Sequence, residues 1–476
     1  MAFAINPRRL GLALLAVAFT AVLVWFGYGL NPLWPLIWLA PLPVLLLAAR
    51  PARQVALIAF SAWFLGCLTY VHYFHMLHVP WIVVVSLEAL FFTFAVLLYR
   101  ALLVRGAPWL AIVAFPALWT SMEYILSLTT SGGTAGSLAY TQLRFLPILQ
   151  LASVTGPWGV TFVILLFPAT IATAWHLRRT ARGQALRITV AGLGALAVVL
   201  LFGVVRLAEP AVRQPVTAGL ITSDIAANDP IVPAGADATR MFQDYAAAAR
   251  GLIARGAAVI VMPEKLAVVA NANPHEAGAI FQPLADQTGA TLVAGVLRID
   301  PPHKYNRALI YTPHVASRSY DKEHMLPPFE SPLTPGTSLT FLPHSPAPWG
   351  VAICKDMDFT SPARRYGLDG VGLLLVPAWD FNIDRAWHGH IAILRGAENG
   401  FSIVRAAKNG YLTVSDDRGR ILGEVRSDSA PMATLLVQVP TAHDPTIYLL
   451  LGDWFAWLSI ALLALGVLWL FRPRKT

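Results

Sequence analysis

Gly350-Val351-Ala352-Ile353-Cys354-Lys355-Asp356-Met357-Asp358-Phe359 is an apolar, strand-forming run that ends on a cysteine and turns at once to charged residues. A strand that halts and holds a thiol at its C-terminal edge is a common way to present a nucleophile. The bland alternative is a small hydrophobe packed at a strand end. The chain's other cysteine, Cys67, lies in an apolar segment far upstream, so no disulfide is expected and Cys354 reads as a free thiol. The segments around it decide between the two readings.

Two further β-like runs in the same half of the chain end on a charged group. Val259-Ile260-Val261-Met262-Pro263-Glu264 offers a carboxylate, and Tyr320-Asp321-Lys322-Glu323-His324-Met325-Leu326-Pro327 offers an ammonium. A Pro-Glu turn or a charge run means little by itself. A cysteine attacking an unactivated ester or amide, however, needs a base for its proton and a cation for the developing oxyanion. Glu264 suits the base and Lys322 the cation. Glu330, eight residues after Lys322, suits a supporting carboxylate that orients either one. Three strand-end groups in the order Glu, Lys, Cys are far more specific than any one of them.

Outward from this core the composition changes. Hydrophobic residues make up 56% of the 476-residue chain and charged residues 13%, about half the share in an average soluble protein. Apolar stretches of about membrane-spanning length fall at 10–29, 32–49, 54–74, 79–103, 107–127, 157–177, 187–207 and 447–471. Arg8 and Arg9 precede the first, Arg50 and Arg53 follow the second, and Arg100 and Arg105 surround the end of the fourth. Arg178, Arg179, Arg182 and Arg187 lie between the sixth and seventh, and Arg472, Arg474 and Lys475 follow the last. Every second connection is basic, which predicts eight spans with both termini inside. The net charge of +9 is thus spent on membrane orientation rather than on a nucleic-acid face. The predicted division is a seven-span domain over 1–210, an outer α/β domain over 212–440 and a final span within 445–476. In the outer domain, strands are predicted at Val216–Ile221, Ala257–Met262, Thr291–Val296, Ala308–Thr312, Gly350–Cys354, Gly372–Val376, Phe401–Val404 and Tyr411–Val414. The Gly/Ser/Thr-rich connection 128–156 reads as an external loop.

Glu264, Lys322 and Cys354 together resemble the Glu-Lys-Cys triad of the nitrilase (carbon–nitrogen hydrolase) superfamily. With seven spans before the domain and one after it, the chain resembles the apolipoprotein N-acyltransferase family. Tyr140-Thr141-Gln142, Thr155-Gly156-Pro157-Trp158-Gly159-Val160, Tyr305-Asn306, Arg395-Gly396-Ala397-Glu398-Asn399-Gly400 and Gly452-Asp453-Trp454-Phe455 carry the likeness over nearly the whole length. The resemblance implies a multi-span α-helical bundle joined to an α/β, nitrilase-like αββα sandwich on the periplasmic side of a bacterial inner membrane. It also implies acyl transfer from a phospholipid donor through a cysteine thioester to the amine of a diacylglyceryl-cysteine lipoprotein. No cofactor, metal or nucleic acid is implied, and a monomer is expected. Three departures stand out: Lys355-Asp356 follow the cysteine where the family has Tyr-Glu, Met262 replaces the tryptophan of a Trp-Pro-Glu motif, and Pro377-Ala378-Trp379-Asp380-Phe381 corresponds only loosely to the family's Asn-Asp-Ala-Trp-Phe segment.

Lys355 and Asp356 therefore enter as supporting residues, positioned either to recognise a different amine or to admit water to the thioester. The second case is the alternative reading, a membrane-anchored amidase or hydrolase. Trp379, Phe381 and Trp387 are candidates for an acyl-binding wall. His324, His388 and His390 lack the upstream cluster a metal site needs and read as structural. Glu88 and Glu123 sit in predicted spans, where a carboxylate is costly and functional by default.

Overall fold

The computed structural model describes residues 7–209, 215–224, 231–271 and 275–473; the predicted basic residues Arg474 and Lys475 lie outside them. The chain divides into two compact units. One holds residues 1–129, 136–208 and 451–476, the other residues 130–135 and 209–450.

Among the described residues of the first unit, six helices are long and apolar enough to cross a membrane: Pro7–Gly27, Ala52–Met76, Trp81–Val104, Pro108–Thr129, Pro157–Leu177 and Arg182–Ala208. Their outward faces are apolar. Leu57 is 70% exposed and Val198 68%, an arrangement that water would penalise and lipid would not. The two remaining predicted spans differ from the expectation. Stretch 32–49 is not one helix but two short ones, Trp34–Leu39 and Leu42–Leu45. Pro41 and Pro43 interrupt it, since a proline lacks the helical N–H and clashes with the preceding turn. Even so, this broken segment retraces the first helix. Leu33 N donates to Phe26 O (2.8 Å) at one end and the Arg50 guanidinium donates to Arg9 O (3.0 Å) at the other. The last stretch is the 17-residue helix Trp454–Leu470, at the short limit for a span.

The same contacts gather the arginine clusters. Arg100 Nε donates to Arg50 O (2.8 Å), Arg105 donates to Leu470 O, and His176 Nε2 pairs with Leu45 O (3.0 Å). One end of the bundle is thus basic. Towards the other end lies Glu123, whose carboxylate accepts hydrogen bonds from Trp119 Nε1 (2.9 Å), Ser137 Oγ (2.8 Å), Leu138 N (2.9 Å) and Thr161 Oγ1 (2.8 Å). These bonds tie the connection after Thr129 to two spans, so Glu123 serves structure. Glu88 accepts from Cys67 Sγ (3.4 Å), which gives the first cysteine a packed, bonded place.

The second unit is built on two sheets. The first runs β13-β1-β2-β4-β5-β6, with β3 beside β4. Its strands are β1 Pro215–Thr222, β2 Val259–Val261, β3 Val268–Ala270, β4 Thr291–Asp300, β5 His303–Tyr311, β6 Arg318–Asp321 and β13 Ala433–Pro440. The second runs β12-β11-β10-β9-β8-β7, from β7 Phe341–Leu342, β8 Trp349–Val351, β9 Leu373–Trp379, β10 Ser402–Lys408, β11 Tyr411–Ser415 and β12 Ile421–Arg426. Period-two alternation sends one set of side chains between the sheets: Leu220, Val259, Val261 and Val293 meet Val351, Leu375, Val404 and Val414. The opposite set, Ile260, Met262, Leu292 and Ala294, packs under helices Ala236–Ile253 and Glu276–Thr288. Leu374, Val376 and Ile403 face Ala363 and Tyr366 of Ala363–Leu368 and Ala392 of Trp387–Asn399. The order helix, sheet, sheet, helix is the αββα sandwich. Each fully buried aliphatic side chain contributes about 1.5–3 kcal/mol; a carboxylate in place of Val404 would lack any partner and unfold the layer. Five strands (β3, β6, β7, β12 and β13) fall outside the eight predicted runs, and the predicted strand Gly350–Cys354 stops at Val351.

Candidate active site

Three turns carry the predicted triad. Glu264 lies three residues past β2, in a turn that presses against β4 so closely that a Cβ on Gly295 would stand 2.5 Å from Pro263 O. Only glycine fits there. Lys322 directly follows β6, and its N–H donates to Asn306 O on β5 (2.9 Å). Cys354 opens a short turn, Cys354–Asp358, three residues past the end of β8, with φ at +44°. A non-glycine residue in the left-handed region costs of order 1–3 kcal/mol and is retained where the surroundings demand it. Here the bend aims Sγ at Trp379 O, 3.5 Å away at the end of β9. Parallel strands β9 and β10 end together at Trp379 and Lys408, and β8 stops beside β9 at Val351, opposite Leu375, so Cys354, Trp379 and Lys408 lie at the carboxyl ends of the three strands, where α/β sheets place their sites.

Glu264 is buried. Its Oε1 accepts from Lys322 Nζ (3.0 Å) and from Asn306 Nδ2, with Lys265 Nζ at 3.4 Å. Its Oε2 has no hydrogen-bond partner among the described residues. Glu330 is buried as well and holds the rest of the cluster. Its Oε2 accepts from Lys322 Nζ (2.8 Å) and Leu326 N (3.0 Å); its Oε1 accepts from Lys265 Nζ (2.6 Å) and Asn306 Nδ2 (2.7 Å). Asn306 thus bridges the two carboxylates, and Lys322 does the same with a positive charge.

Electrostatics follow from this packing. Burial alone would lower the Lys322 ammonium, but Glu264 and Glu330 outweigh it and hold the group well above its ordinary range. Burial resists the ionised form of Glu330, yet Lys322 and Lys265 keep its carboxyl below the usual range. Burial, then the Glu264 charge, push the Cys354 thiol well above its ordinary value despite the opposing pull of Lys322. The thiol therefore keeps its proton at rest and needs a base to give it to. A buried carboxylate oxygen with an open acceptor position, as Glu264 Oε2 has, is chemically able to accept it.

Lys355 and Asp356 do not serve the thiol in the way the sequence suggested. Both side chains are buried. Asp356 accepts from Ile353 N (3.0 Å), Tyr320 OH (2.8 Å), Glu323 N (3.1 Å) and His324 N (2.9 Å), and so ties the turn of Cys354 to that of Lys322. Lys355 Nζ binds Asp358 (3.0 Å). Asp358 also meets His388 Nδ1 (3.0 Å), whose Nε2 lies 3.3 Å from Asp384. Burial works against charging His388, but Asp358 and Asp384 prevail and raise its pKa to about 10. His324 stacks on Phe359 with ring centres 3.8 Å apart.

Of the three candidate aromatics, Trp379 and Phe381 are half-buried, and Phe381 meets the exposed Phe329 at 5.7 Å. Trp387 is a core residue instead: it is buried, and its indole donates to Ala135 O (3.2 Å). Three residues of the site carried no role in the sequence reading. Asn306 was visible only as part of a likeness, and Lys265 only as a neighbour of Glu264. Lys408 ends an apolar strand, a place where a lysine is usually exposed. It is 4% exposed, donates to Lys265 O (2.8 Å) and stands 4.4 Å over the Trp379 ring. Burial and the nearby Lys265 charge lower its pKa to about 7.

Comparison with known proteins bears on both units. A family model described as "Apolipoprotein N-acyltransferase N-terminal domain" matches residues 20–170, and one described as "Carbon-nitrogen hydrolase" matches 227–438. The apolipoprotein N-acyltransferase of Geobacter metallireducens is 28% identical over 98% of this chain and 96% of its own length. That of Vibrio parahaemolyticus is 24% identical over 97% of each. Among solved structures, an amidase from Nesterenkonia sp. aligns with 49% of this chain and 93% of its own, at 20% identity and a TM-score of 0.42.

Proposed function

We propose, from the premise that this chain belongs to the apolipoprotein N-acyltransferase family, that Cys354 carries a fatty acyl group as a thioester between a phospholipid donor and the N-terminal amine of a diacylglyceryl-cysteine lipoprotein. The chain is a multi-pass membrane enzyme of the carbon–nitrogen hydrolase superfamily, an N-acyltransferase of lipoprotein maturation.

Glu264 Oε2 takes the thiol proton, and Sγ attacks the ester carbonyl of the phospholipid. Lys322 offsets the charge of the tetrahedral oxygen. The intermediate collapses, the lysophospholipid oxygen leaves with the proton from Glu264, and the acyl group stays on sulfur. The lipoprotein amine then attacks the thioester, its proton passes to Glu264, and the thiolate departs to recover that proton. Glu330 and Asn306 hold Glu264 and Lys322 in register throughout. The observation that carries this reading is the buried Oε2 of Glu264, without a hydrogen-bond partner among the described residues, beside an ammonium that donates to two carboxylates. All the groups come from one chain, so a monomer suffices. The basic end of the bundle supports a cytoplasmic placement for that end in a bacterial inner membrane, with the hydrolase-like domain on the periplasmic side.

The inward pairing of Lys355 and Asp356 removes the feature that favoured water as the second substrate. A test uses purified protein in phospholipid micelles with a diacylglyceryl-cysteine peptide. Growth of an N-acylated peptide supports transfer; release of free fatty acid with the peptide unmodified supports hydrolysis. Rescue of a strain depleted of its own lipoprotein N-acyltransferase checks the same claim in a cell.

A further inference from the structure

At the basic end of the helical unit, the helices Pro157–Leu177 and Arg182–Ala208, with Leu46, border an open recess of about 480 Å³. That volume lies within the roughly 300–1,000 Å³ range of small-molecule sites. Its wall is apolar, with Leu46, Ile171, Ala174 and Leu186, and it carries two arginines, Arg178 and Arg182.

These two guanidinium groups are oriented but not neutralised. Arg178 Cζ stands over the Trp175 ring, 3.3 Å from its centre, and one NH group donates to Trp175 O (2.5 Å). Arg182 Nε donates to Arg178 O (3.3 Å). Among the described residues neither arginine has a carboxylate within ion-pair distance, in contrast to the bonded arginines of the α/β unit such as Arg405. No such partner is at hand. The first 208 residues contain only two carboxylates, Glu88 and Glu123, each nearer the far end of its helix than the basic end. Positive charge above an apolar recess, on a surface facing hydrocarbon, is complementary to an amphiphile with an anionic head.

We propose that this recess binds an anionic glycerophospholipid of the surrounding membrane, its phosphate held by Arg178 and Arg182 and an acyl chain lying along Ile171, Ala174 and Leu186. This site belongs to the basic end of the bundle and is separate from the thiol centre. Its ligand is a resident lipid, not the acyl donor.

The experiment uses full-length protein in detergent, titrated with dioleoyl-phosphatidylglycerol or with zwitterionic dioleoyl-phosphatidylcholine. Bound lipid is counted by native mass spectrometry. We expect one phosphatidylglycerol to persist at energies that strip phosphatidylcholine. Arg178→Gln/Arg182→Gln should weaken its retention at least tenfold, whereas Arg8→Gln/Arg53→Gln, equal in charge, should not. Ala174→Phe fills the recess with both arginines intact and should also expel the lipid. Equal losses in the two double variants would reduce the effect to general charge and overturn the site. So would undiminished retention in either Arg178→Gln/Arg182→Gln or Ala174→Phe.

Discussion

Two buried carboxylates, one in each unit, occupy similar surroundings and do opposite things. Glu123 receives four hydrogen bonds from uncharged donors, shared between both of its oxygens. Among the described residues Glu264 receives its bonds on Oε1 alone, one of them from an ammonium, while Oε2 has no partner. A buried acceptor left open costs about 1–3 kcal/mol, so folding alone would not favour it. The saturated carboxylate fastens a connection to its helices; the unsaturated one is free to take a proton. The two cysteines repeat the contrast, since Cys67 donates to Glu88 in a packed helix whereas Cys354 is held on a strained turn facing a carbonyl.

The sharpest way to break this comparison is to remove each member of the triad. Cys354→Ala, Glu264→Gln and Lys322→Met should each reduce transfer by three orders of magnitude or more, with folding retained, because groups acting as one unit fail together. Cys67→Ala should stay within twofold. Substantial turnover in Cys354→Ala would end the assignment of the nucleophile.

A smaller effect separates chemistry from positioning. Asn306→Ala leaves the triad in place but frees Glu264 and Glu330 from their bridge. It should lower kcat by about 10- to 100-fold with KM nearly unchanged, measured by steady-state transfer to a peptide acceptor. At the other hub, Glu123→Leu should lower the thermal midpoint by several degrees, since it strands four donors. The folded fraction should keep activity within a few-fold. If Glu123→Leu stopped turnover without lowering stability, the saturated carboxylate would have a chemical role after all.

The smallest effects are set by pH and run in opposite directions. Burial lowers Lys408 to about 7 from an ordinary value of 10.5, so its penalty on stability is complete below pH 7 and fades as pH rises towards 10.5. Lys408→Met should therefore raise the thermal midpoint more at pH 6 than at pH 10. His388, raised to about 10 from 6.5, contributes stability that is complete below pH 6.5 and lost as pH climbs through 10. His388→Phe should destabilise more at pH 6 than at pH 10. Parallel thermal scans of both variants at the two pH values check the signs.

Much of this was legible in the sequence, and for physical reasons. Apolar length and alternating arginines marked the spans, because lipid penalises polar backbone and charge. Strand-end charges drew attention to Glu264, Lys322 and Cys354, which lie on separate turns, after β2 and β6 of the first sheet and after β8 of the second. Pro41 and Pro43 could have warned that the second span is broken, since hydropathy does not register a missing N–H. Lys355 and Asp356 misled because a charged pair beside a nucleophile reads as a surface. Burial was decided by Tyr320 and the turn of Lys322, more than thirty residues earlier in the chain. Trp387 misled likewise, its partner Ala135 lying 252 positions away. Lys408 had no local signal at all, because its place depends on the register of β10 with β9.

The proposed mechanism requires that Glu264 Oε2 take the thiol proton and that the sulfur then keep the acyl group until an amine arrives. Intact mass analysis of protein held in phospholipid micelles without acceptor tests both requirements. We predict a Cys354 adduct equal to one fatty acyl chain, removed by hydroxylamine, absent from Cys354→Ala and from Glu264→Gln, and discharged onto the amine of an added diacylglyceryl-cysteine peptide. An unmodified Cys354 under these conditions, or an adduct that forms equally well in Glu264→Gln, would contradict the account.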